Sequence, residues 1–80
     1  MSAYPTLTTR TNRVGEDLLS CTISGPCPAA DHTNCARYVI ECARTSIDTG
    51  AIVGRWTTTR QHRAACDLYI DMLMYPERAV

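Results

Sequence analysis

Residues 31–49, DHTNCARYVIECARTSIDT, decide how the chain is organised. Asp31 is a good helix N-cap, because its short carboxylate can accept a hydrogen bond from one of the first free backbone N–H groups. From there Cys35, Ala36, Val39, Ile40, Cys42, Ala43 and Ile47 recur at helical spacing and make one apolar face. Arg37, Glu41, Arg44 and Asp48 alternate in sign on the other face, three or four residues apart, where side chains one turn apart attract. Gly50 is a natural stop, since it accepts the left-handed conformation of a helix C-terminus. The spacing predicts an amphipathic helix from Asp31 to about Thr49.

Toward the N-terminus, Gly25-Pro26-Cys27-Pro28 ends whatever precedes it, because two prolines can continue neither a helix nor a central strand. Before that break Leu19, Cys21 and Ile23 alternate with Ser20, Thr22 and Ser24, the period of a half-buried strand. Val14-Gly15-Glu16-Asp17 is turn-like, and residues 4–13 (YPTLTTRTNR) are Thr-rich, as an extended arm or edge strand would be. A hairpin follows. Its rival is a short helix from Asn12, since Val14, Leu18 and Cys21 also share a helical face.

Toward the C-terminus, Ala51–Trp56 (AIVGRW) fits a single strand or an extended link. Thr58 and Gln61 have the spacing of a capping box, in which hydroxyl and amide each satisfy one orphan backbone donor. A second helix is predicted from about Thr59 to Met74, burying Ala65, Cys66, Leu68, Tyr69, Met72 and Leu73, with Pro76 ending it. The expected fold is α+β, two amphipathic helices packed on a small β-hairpin or short sheet, with an all-α fold as the alternative.

The 80 residues make one domain, 45% hydrophobic, without Phe and with one Trp and four Tyr, so Leu, Ile, Val, Met, Cys and Ala must fill the core. Eight acids balance eight bases, and every base is Arg. Neutral charge steers the chain to neither nucleic acid nor membrane. A GC-rich genome accounts for Arg in place of Lys without invoking function. Met1–Thr6 has no basic region followed by an apolar run, and no apolar stretch approaches a membrane span, so a reducing cytoplasm is the expected setting.

Five cysteines, Cys21, Cys27, Cys35, Cys42 and Cys66, are an odd number, so disulfides alone cannot use them all. Cys21, Cys27, His32 and Cys35 lie within fifteen residues and could supply four ligands to zinc. The rival is that Cys21, Cys35 and Cys42 are small core residues, Cys35 and Cys42 being seven apart beside Val39. Cys27, between two prolines, is expected to be exposed. As a nucleophile it needs a base to lower its pKa, and no spacing brings His32 or His62 to it. No catalytic role is therefore assigned to any residue.

The segment Arg55-Trp56-Thr57-Thr58-Thr59-Arg60-Gln61-His62-Arg63 holds three Arg, a His and the only Trp, without an acid. Arg55, Trp56, Arg60 and Arg63 suit an acidic protein surface, Trp and Arg being the residues that dominate binding energy at interfaces. The same set can hold phosphates while Trp stacks on a base, which leaves direct nucleic-acid binding as an alternative. Against both stands Trp56 as the one large aromatic of the core. Small size and Ala- and Cys-rich helix faces also make a homodimer a reasonable arrangement.

In size, compactness and Arg-rich, motif-free makeup the whole chain resembles the small orphan proteins of phages and mobile elements, among them the anti-CRISPR inhibitors. That class shares no residue signature, so no site residue carries over. The resemblance implies a stoichiometric inhibitor of a host nucleoprotein machine, bound to a subunit of a type I Cascade complex and blocking target DNA recognition or nuclease recruitment. Neutral charge argues against pure DNA mimicry and for a mixed-charge surface that covers a site. The expected function is thus a non-catalytic, protein-binding inhibitor, with a zinc- or DNA-binding regulator built on the Cys/His quartet as the alternative.

Overall fold

The computed structural model, which describes residues 4–27 and 37–76, is an antiparallel sheet of four strands backed by one helix. The strands are β1 (Thr6–Val14), β2 (Asp17–Ser24), β3 (Tyr38–Ser46) and β4 (Ile52–Arg60), arranged in sequence order, and the helix is α1 (Arg63–Met74).

The first hairpin closes through Gly15-Glu16, with Val14 opposite Asp17. Gly15 has φ +64° and among the described residues no non-glycine residue has positive φ, so only the first central residue is left-handed, as in a type II′ turn. The alternation of Leu19, Cys21 and Ile23 places all three on the face that α1 covers. At the far end of β2, Gly25 (φ +142°) approaches the neighbouring strand so closely that a Cβ would lie 2.5 Å from the Arg37 carbonyl oxygen. Only glycine fits there.

Residues 38–46 are a central strand, which corrects the helix predicted over Asp31–Thr49; Asp31, His32, Cys35 and Ala36 lie outside the described residues. Tyr38, Val39, Ile40 and Thr45 favour a pleated backbone. β3 is paired on both edges, to β2 and β4. Ile40 and Cys42 face the helix, while Val39 and Ala43 lie half-buried on the opposite side. Apolar residues on both faces hide the period of two and imitate a helical stripe. Arg44, expected on a helix surface, instead holds Asp17 of β2 at 2.6 Å.

The second correction concerns the start of the other helix. β4 runs through Thr57-Thr58-Thr59 to Arg60, so the capping box of Thr58 and Gln61 does not form, and α1 starts at Arg63 with His62 as an extended N-cap making no side-chain cap bond. Three successive β-branched residues are stiff at χ1 and pack well on a sheet, and that preference prevails over the capping pattern. The two-helix α+β arrangement and its all-α alternative are thus both replaced by a sheet-dominated fold with a single helix.

α1 crosses the sheet. It is tied to β4 at its middle, where the Trp56 Nε1–H donates to the Tyr69 hydroxyl at 2.8 Å. Its end lies under β1, where Arg10 pairs with Asp71 at 2.6 Å and Asn12 Nδ2 donates to the Met74 carbonyl at 3.1 Å. Between sheet and helix the core comprises Leu19, Cys21, Ile23, Ile40, Cys42, Cys66, Ile70 and Met74. The helix buries Cys66, Ile70 and Met74, whereas Leu68 and Met72, predicted to be inside, are 62% and 53% exposed.

Candidate functional site

The cysteines separate by position. Cys21 and Cys42 face each other across β2 and β3, both buried against α1, and Cys66 packs into the same core from the helix. Burial raises the pKa of all three, that of Cys42 to about 12, because an interior thiolate loses its hydration. The Cys21 and Cys42 thiols also hydrogen-bond one another. Such thiols stay protonated and are poor nucleophiles. Cys27 is buried too, contrary to the exposure expected of its Pro-flanked position; its N–H donates to the Arg37 carbonyl at 2.9 Å. Of the quartet proposed for zinc, Cys21 belongs to the core and Cys27 to the segment beyond β2, while His32 and Cys35 lie outside the described residues. Among the described residues no three His, Cys, Asp or Glu side chains are grouped as a metal site.

The residues Arg55, Trp56, Arg60 and Arg63 are distributed along one rim of the molecule, β4 and the start of α1, but on different sides of it. Arg55 projects from the sheet face opposite the helix, and Trp56 and Arg60 from the helix side. Trp56 is half-buried against the core and fixed by its bond to Tyr69. Arg60 lies over the Tyr69 ring, 4.7 Å from its centroid, and donates to the Thr58 hydroxyl and the Thr59 carbonyl. Tyr69 therefore supports both, a role that helical spacing alone could not reveal. Arg63 makes only a loose 3.7 Å pair with Asp67 one turn along the helix, and Arg55 has no ion-pair partner among the described residues.

Between these arginines runs the outer edge of β4. In an antiparallel edge strand alternate residues direct N–H and C=O away from the sheet. Among the described residues no backbone group bonds to that side of β4. The other edge is blunted: β1 begins after Pro5, carries a bulge between Thr6 and Thr8, and has Arg10 and Asn12 tied to the helix. β4 is irregular only at its start, where the register shifts opposite Arg44 and Thr45. From Gly54 to Arg60 its edge is regular and acid-free. The run of Thr57-Thr58-Thr59 was the available sequence signal for it.

Among the described residues two other surfaces are open. The uncovered sheet face has a shallow depression lined by Ser20, Thr22, Glu41, Ala43, Arg55 and Thr57, hydroxyl-rich as a solvated face should be. Leu68 and Met72, one turn apart on α1, form a small apolar stripe. Among the described residues no helix is long and apolar enough to cross a membrane. Comparison with known protein families, with characterised proteins and with solved structures returned no match.

Proposed function

We propose that the chain is a non-catalytic, protein-binding inhibitor whose contact surface is the β4 rim, and that its partner is a type I Cascade complex in a reducing cytoplasm. The observation that carries the reading is the uncovered, regular edge of β4, flanked by Arg55 and Arg63. An edge with free backbone groups and exposed cationic side chains can hold a protein surface without chemistry of its own. The buried thiols support a non-catalytic role, because raised pKa values are the reverse of what a nucleophile needs. Free Cys21 and Cys42 facing one another suit a reducing compartment. The choice of Cascade rests on the chain's likeness in size and makeup to the anti-CRISPR inhibitors.

Of the four rim residues, Trp56 and Arg60 also support the fold, so the informative pair is Arg55 and Arg63, both exposed. Co-elution of the protein with purified type I Cascade on a sizing column tests the proposal. Wild type is expected to form a stable complex, and Arg55→Glu/Arg63→Glu to lose it while keeping a native circular dichroism spectrum. An unchanged complex with the double variant would remove the rim from the interface. Native mass spectrometry in parallel tests the alternative: one zinc per chain would favour the Cys/His regulator instead.

A further inference from the structure

We infer that β4 receives an extended, acidic segment of the partner as a fifth strand of the sheet. This rests on the rim being the protein-binding surface and adds how it binds and what chemistry it selects. Two features of the structure converge. First, the outer edge of β4 offers backbone donors and acceptors that no strand among the described residues pairs, the Thr59 carbonyl alone being held by the Arg60 guanidinium, and such an edge is the template on which strands add. Second, a strand laid there would set its side chains alternately beside Arg55, Thr57 and Thr59 on one face and beside Trp56 and Arg60 on the other. Arg55 stands on one face and Arg60 on the other, and β4 itself holds no acid, Glu41 of β3 lying inboard of Thr57, so acidic residues set beside the two arginines on the incoming strand find a complement.

The test uses a short, capped peptide alternating Glu with Thr, and the same peptide with Lys replacing Glu, titrated into the whole isotope-labelled protein and followed through its backbone amide resonances. The acidic peptide is expected to shift and protect from exchange alternate amides between Gly54 and Arg60, with the lysine peptide leaving them unmoved. Arg55→Glu/Arg63→Glu is expected to weaken the acidic peptide on the order of tenfold. Equal responses to both peptides, shifts confined to the Ser20–Thr22 region or to Leu68 and Met72, or no shift at millimolar peptide would each overturn strand addition. The two levels fail separately. Cascade binding that leaves the β4 amides unprotected removes strand addition alone, while an intact peptide response without Cascade binding removes the partner alone.

Discussion

Ile70→Ala and Leu68→Ala together measure which face of α1 the protein buries. Ile70 is fully buried between α1 and the sheet, packed with Ile23, Ile40, Cys21 and Cys42 in one core. Truncation removes three carbons there, worth about 2.4 kcal/mol in transfer at ~0.8 kcal/mol each, and the cavity left beneath the helix brings the cost to about 3–4 kcal/mol. Leu68 loses the same three carbons but is 62% exposed, so its truncation should cost about 1 kcal/mol or less. A domain of this size has only about 4–12 kcal/mol to lose. Ile70→Ala should therefore be close to unfolding at 37 °C, and Leu68→Ala should behave almost as wild type. Urea denaturation followed by circular dichroism reads both, with midpoints separated by about 2 M for a slope near 1 kcal/mol/M. Equal midpoints, or a lower one for Leu68→Ala, would mean that the helix packs with its other face down.

Three further outcomes follow from the same structure. His62→Asp supplies the missing N-cap to α1 and should add about 1 kcal/mol, raising the melting temperature by roughly 4–8 °C in calorimetry; no change would mean that the helix begins elsewhere. The unfolded chain loses the Cys42 proton near pH 8.5 and the folded chain near 12, so stability should hold below about pH 8.5 and fall above it, by up to about 1.4 kcal/mol per pH unit from this thiol. Burial raises Cys21 and Cys66 in the same direction, and Cys42→Val should flatten the dependence. Finally, Trp56→Phe and Tyr69→Phe each break the 2.8 Å bond beneath β4 and should cost about 1 kcal/mol in urea melts, with the double variant little worse than either single one; additive losses would deny the contact.

The first hairpin was legible because one of its faces is solvated. Ser20 and Thr22 stand out of the core while Leu19, Cys21 and Ile23 stand in it, and Gly15 supplies the left-handed turn. The central strand was hidden because both of its faces hold apolar residues, and Val39, Ile40, Cys42 and Ala43 satisfy a period of 3.6 as well as a paired strand does. The existence of α1 could be read, but its phase could not: Leu68 and Met72 complete one apolar stripe as convincingly as Ile70 and Met74 complete another, and only the sheet decides between them. Proximity in sequence did locate Arg55, Trp56, Arg60 and Arg63 on one rim. It could not separate Trp56 and Arg60, anchored on Tyr69, from Arg55 and Arg63, because strand alternation divides them between two faces.

The proposed inhibition by occupancy of a partner is tested by target DNA binding to purified type I Cascade titrated with the protein. DNA binding should fall in proportion to added protein and end at a fixed stoichiometric ratio, with Arg55→Glu/Arg63→Glu inactive although folded. Undiminished DNA binding at large molar excess of wild-type protein would contradict it.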